Sequence, residues 1–119
     1  MTDDDRRARG KAMMKEVYGW DLDEVEGPFV ESTVDHLFAD VWTEGDLSVK
    51  ERRLLLIGLA CGNAMDDVAG LQLDAAVRLG ELDADDLRTI VVFLAHYAGW
   101  PVAARLNTEV EKIIARNEP

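Results

Sequence analysis

The chain has 119 residues, with 13 Lys and Arg against 24 Asp and Glu, a formal net charge of -11. That field repels phosphate backbones and anionic bilayers, so neither nucleic acid nor membrane is an expected partner, although a small basic pocket for an anion remains possible. A single cysteine, Cys61, excludes an intrachain disulfide and any Cys-x-x-Cys redox or zinc pair.

Hydrophobic residues make up 48% of the chain and charged residues 31%, a globular balance that suits one domain over residues 1–119. The opening MTDDDRRARG is too polar for the apolar part of a signal peptide. The apolar run near Leu54 is too short to span a bilayer. A soluble cytoplasmic protein is the expectation.

In chain order, Thr2 before Asp3, Asp4 and Asp5 places a capping hydroxyl and three acids at a helix start. This helix runs to Tyr18 and stops at Gly19, and Trp20 to Gly27 reads as a polar connection. Residues 1–25 form this N-terminal helix and connection, the part least committed to the core. Its Met13, Met14, Val17 and Tyr18 are candidates to complete a neighbouring copy's surface. Gly27-Pro28 opens a second helix, since proline suits the first helical position. Phe29, Val30, Val34, Leu37, Phe38 and Val41 follow near a 3.6-residue period.

Ser48 and Glu51 form a capping box for a third helix, which ends at Gly62. Leu54 to Leu59 is almost continuously apolar, so burial on most sides is expected. A fourth helix is predicted from Asn63 through Leu79, with Gly80 as its stop. Asp83 and Asp86 cap a fifth, with a stripe of Leu87, Ile90, Val91, Leu94, Ala95 and Ala98. Pro101 opens a sixth helix through Arg116, carrying Val102, Leu106, Val110, Ile113 and Ile114. No segment shows a clean alternating strand pattern. The two helices between Asn63 and Ala98 read as an antiparallel hairpin.

An ordered set of features runs from Trp42 through Leu47, then Arg52 in KERRLLLIGLA, LDAAVRLG, and DDLRTIVVFLAHYAGWPVAA. This set resembles the carboxymuconolactone decarboxylase family of the alkylhydroperoxidase D-like superfamily. Residues 42–106 carry the likeness, and YAGWP, Tyr97 to Pro101, is its most specific part. The resemblance implies an all-α, six-helix alkylhydroperoxidase D-like domain that assembles with itself into trimers or hexamers. It implies a carbon–carbon lyase acting on a small carboxylated lactone of aromatic degradation, with no metal and no organic cofactor, because the substrate is its own electron sink. Such a protein holds carboxylates, places donors at a developing oxyanion and supplies a proton to carbon.

On that resemblance Arg52 is the substrate's anion clamp; the plain alternative is a surface charge paired with Glu51 or Glu44. Arg53 reads as solvated or interfacial. Gln72 stands where family decarboxylases carry a histidine, as an oxyanion contact or as a core amide. Val68, Thr89 and Glu44 replace a glutamate, a second glutamate and an arginine of the family pattern. His96, the one histidine near the YAGWP element, is the candidate replacement proton donor, with Tyr97 beside it; helix-terminal and packing roles compete. Trp42 and Trp100 are candidates to line a pocket for a ring, or core and interface anchors. His36 reads as a half-buried surface residue.

Three functions are weighed: a cofactor-independent decarboxylase or related lyase; a non-catalytic ligand-binding or assembly protein of the same fold; and, least favoured, a thiol peroxidase, which needs a second cysteine to resolve the sulfenic acid.

Overall fold

The computed structural model describes residues 2–21 and 26–118. Their regular elements are helices, with no strand among the described residues. The chain divides into two compact units, Met1–Arg52 and Arg53–Pro119.

The first unit begins with α1 (Asp3–Tyr18). Thr2 and Asp5 close a reciprocal capping box, and Gly19 adopts a left-handed conformation (φ 79°) whose N–H reaches the Lys15 carbonyl at 2.7 Å. Both ends lie where the sequence puts them. The expected connection over 20–27 falls partly on residues 22–25, outside the described residues.

The next helix, α2 (Pro28–Ser32), continues directly as a π-helical segment (Thr33–Val41). This departs from the 3.6-residue expectation. In a wider turn, residue i+3 swings off the face while i+4 stays near it. Val34 and Phe38 are buried, with Val30 and Trp42 packed beside them, whereas Phe29, Leu37 and Val41 are exposed.

Helix α1 lies directly on the π segment. A Cβ added to Gly10 would stand 2.0 Å from the Val34 carbonyl oxygen, so only glycine permits this approach. Met14 and Val17 are buried against Val34 and Phe38 within this unit. Arg7 grips Asp35 with two hydrogen bonds, at 3.0 and 2.9 Å, and Arg9 donates to the Ala39 carbonyl and to Asp40.

Helix α3 (Val49–Gly62) starts at the expected Ser48–Glu51 box. Its buried face in the second unit is Arg53, Ile57, Ala60 and Cys61; Leu54, Leu55 and Leu59 are exposed, against the expected burial on most sides. Helix α4 (Asp66–Arg78) begins three residues later than predicted. Asn63, Ala64 and Met65 are used instead to close α3: their N–H groups reach the carbonyls of Leu59, Cys61 and Ala60, with Ala64 left-handed (φ 56°).

Helices α5 (Ala84–Ala98) and α6 (Trp100–Asn117) complete the unit, with Asp83 and Asp86 capping α5 as expected. The hairpin expectation changes in detail: the closest backbone packing is of α4 and α5 against α6 rather than against each other. Gly70 permits the α4–α6 approach, since a Cβ there would meet Glu109 Cγ at 3.1 Å. Arg105–Asp66 and Arg116–Asp74 ion pairs tie α6 to α4, and Arg88–Glu111 ties it to α5. The core gathers Ile57, Leu73, Leu87, Leu106, Val110 and Ile113. No described helix is long and apolar enough to cross a membrane.

Candidate functional site

The polar centre of the second unit is Arg53. It falls on the buried stripe of α3, four residues before Ile57, and its side chain is 0% exposed. This reverses the expectation of a solvated or interfacial cation. A guanidinium removed from water needs a carboxylate and further acceptors. Glu81 supplies the first: Arg53 Nε donates to Oε1 at 2.7 Å and Nη2 to Oε2 at 3.0 Å, a side-on bidentate pair. Gln72 supplies the second, its Oε1 accepting from Arg53 Nη1 at 2.8 Å.

Gln72 is 2% exposed on the inward face of α4. It is therefore a core amide with a charged partner. Its oxygen serves the guanidinium, and an amide carries no titratable proton. Glu81 stands on the α4–α5 turn just after Gly80 (φ 73°), with its side chain 19% exposed.

Arg52 points its donors elsewhere. In the first unit, Nη1 donates to the carbonyls of Val41 and Trp42, and Nη2 to that of Glu44. It thus caps the C-terminal carbonyls that the π segment leaves open. The Glu44 contact is to the backbone, not the carboxylate. Trp42 is half-buried and stacks on Phe38, ring centroids 5.7 Å apart and planes 9° from parallel. Arg52 and Trp42 therefore meet, through the tryptophan's carbonyl.

His96, Tyr97 and Trp100 lie on the outside of α5 and the start of α6. Tyr97 is 80% exposed and tilts against Phe93, and Trp100 is 67% exposed and meets the His96 ring edge-on at 5.9 Å. His96 Nδ1 lies 2.7 Å from the Val92 carbonyl. A carbonyl only accepts, so Nδ1 is the donor in this bond. Gln72 hydrogen-bonds Arg53 and His96 hydrogen-bonds Val92, with no bond between the two candidate residues. Tyr97 meets Phe93 and otherwise projects outward.

Elsewhere, burial pushes the Cys61 thiol up, with Asp66 adding to the effect. In the first unit the Arg7 hydrogen bond holds Asp35 below the usual carboxylate range. His36 is exposed and bonds Asp40.

Sequence reasoning missed Arg53 and Glu81. The signal for Arg53 was present: Arg53, Ile57, Ala60 and Cys61 fall at helical spacing on one face, which assigns the arginine to the core. Glu81 had no comparable signal, because a turn carboxylate in an acid-rich chain looks like any solvated charge.

Among curated proteins and among solved structures, no match to this chain is found. The profile described as the carboxymuconolactone decarboxylase family matches residues 28–111, from α2 into α6. That span is most of the chain and takes in both Arg52 and the Arg53–Gln72–Glu81 network. The chain belongs to the carboxymuconolactone decarboxylase family.

Proposed function

We propose that this chain keeps the family scaffold as a self-assembling, ligand-binding protein and does not decarboxylate a lactone. The observation that carries the reading is Gln72. Where the resemblance places a proton-donating histidine, a buried amide has its oxygen taken up by Arg53, and Arg53 is itself held by Glu81. Decarboxylation needs a proton delivered to carbon by a group that titrates near working pH. Arg52, the residue matched to the family's anion clamp, already donates to three backbone carbonyls.

Assembly with further copies is supported by exposed apolar side chains in the second unit. Leu55 and Leu59 lie one turn apart on α3, and Val92, Phe93, Tyr97 and Trp100 cluster around the end of α5. Large apolar groups gathered in this way favour burial against another surface. Light scattering tests this: the account expects a mass at least three times 13.2 kDa, and Phe93→Glu should lower it. A monomeric wild type would count against assembly. In the same preparation, carboxymuconolactone should turn over no faster than in buffer.

A second reading is a small-acid lyase with His96 as the proton donor and Tyr97 beside it. One observation favours it, the hydrogen bond to the Val92 carbonyl, which holds the ring through Nδ1 and not through Nε2. Loss of lactone turnover in His96→Gln would support it.

A further inference from the structure

Arg53 has five N–H donors, of which three are used, one on each nitrogen. The side-on pairing with Glu81 leaves one Nη2 hydrogen turned toward the Nη1 edge. The guanidinium is fixed on α3, with no exposure, while its carboxylate partner sits on a turn and is partly open to water.

That turn does not depend on the ion pair. The N–H groups of Glu81 and Leu82 both reach the Ala76 carbonyl, at 2.9 and 3.2 Å, and the Asp83–Asp86 box holds the start of α5. The Glu81 carboxylate can therefore leave Arg53 by side-chain rotation alone, with the backbone in place.

Glu81 also borders a groove of about 460 Å³. Val77, Leu82 and Ile114 give the groove apolar lining, and no Lys or Arg lines it. Asp83, Asp86 and Glu118 surround it with negative charge.

We infer that Arg53 is a carboxylate-binding site that Glu81 occupies from within the chain, and that a monocarboxylate with an uncharged, apolar body exchanges with Glu81 from this groove. The bidentate edge selects a carboxylate. The apolar lining rewards a hydrophobic body, and the acidic surround penalises a second negative charge. A tethered carboxylate competes at high effective concentration, so a bare small acid is a poor competitor and the ligand's body must supply the difference.

The inference rests on the reading of this chain as a ligand-binding family member, and the two fail separately. Lactone turnover would remove that reading; the titration below concerns Arg53 alone.

The experiment follows the Arg53 Nε–H signal by proton–nitrogen NMR, assigned by its loss in Arg53→Met, with sodium benzoate as probe. Sodium phthalate and sodium chloride are run at matched ionic strength. In Glu81→Ala, benzoate should shift the signal saturably, with an apparent Kd at least about tenfold below that of wild type, because the internal competitor is gone. Phthalate should bind more weakly than benzoate, and chloride should not shift the signal.

Glu81→Gln, which keeps the side chain's shape, carries the same titration if the alanine variant does not fold. If neither folds alone, benzoate should restore their helical circular dichroism. Equal Kd values in wild type and variant would overturn the inference. So would a benzoate response no larger than that to chloride, or failure of benzoate to restore folding.

Discussion

Arg53 and Glu81 form one ion pair, yet removing either partner should have unequal consequences. In Glu81→Ala the guanidinium on the buried face of α3 loses its carboxylate and keeps a single hydrogen bond, to Gln72. Stripping the partner from a buried charge costs about 3–5 kcal/mol. In Arg53→Met the aliphatic stem is replaced by another of similar length, and Glu81, already 19% exposed, can turn to water. The main loss is then the Gln72 oxygen, buried without its donor, at about 1–3 kcal/mol. The alanine variant should be the less stable by about 2 kcal/mol, which at an m-value of about 1–3 kcal/mol/M moves the urea midpoint by about 1 M between the two.

Urea unfolding followed by far-UV circular dichroism measures both. The double variant should cost little more than Arg53→Met alone, because the orphaned charge is no longer present. An Arg53→Met cost equal to or above that of Glu81→Ala, or simple addition in the double variant, would refute the reasoning.

Further outcomes follow from the same structure. Gly10→Ala should destabilise the first unit by about 1–3 kcal/mol, seen as earlier urea unfolding, because α1 must move away from the Val34 carbonyl. Cys61 should react with a thiol reagent only as the second unit opens. Its thiol is buried with a raised pKa, so the labelling rate should rise with urea as the second unit opens. Asp35 is held below its usual pKa by Arg7, so its contribution is complete above the ordinary carboxylate pKa and is lost as pH falls through the folded-state value. Melting at about pH 7 and about pH 2.5 should therefore differ less in Asp35→Asn than in wild type.

Local chemistry made much of the fold legible. Thr2, Ser48 and Asp83 each precede an acid by three residues, and each caps its helix as read. Gly19 ends α1 for the reason any left-handed terminus favours glycine. The errors arose where tertiary packing decides. The π segment depends on the fit of Val34 and Phe38 against Met14 and Val17, and no 3.6-residue template encodes that wider turn. The α3 terminus takes Asn63 to Met65 because open carbonyls need donors, which delays α4.

At the site, Gln72 was legible as an inward residue from its face of α4. Its partner was legible from helical phase alone, because Arg52 and Arg53 are adjacent and nothing else separates them. That difference of one position sends Arg52 to the carbonyls after the π segment and Arg53 into the second unit's core. Tyr97 and Trp100 show the same limit from the other side. Apolar spacing predicts a buried face, but the intramolecular core is already filled by Leu87, Val91 and Ala95 of α5. The remaining aromatic groups, Phe93, Tyr97 and Trp100, are exposed.

We propose that pairing with Arg53 leaves Gln72 unable to deliver a proton at the position where the resemblance places a histidine. Carbon dioxide release from carboxymuconolactone by the wild-type protein, run beside Arg52→Gln and His96→Gln, tests this most directly. The account predicts the buffer rate for all three proteins. Turnover by wild type that falls in either variant would contradict it.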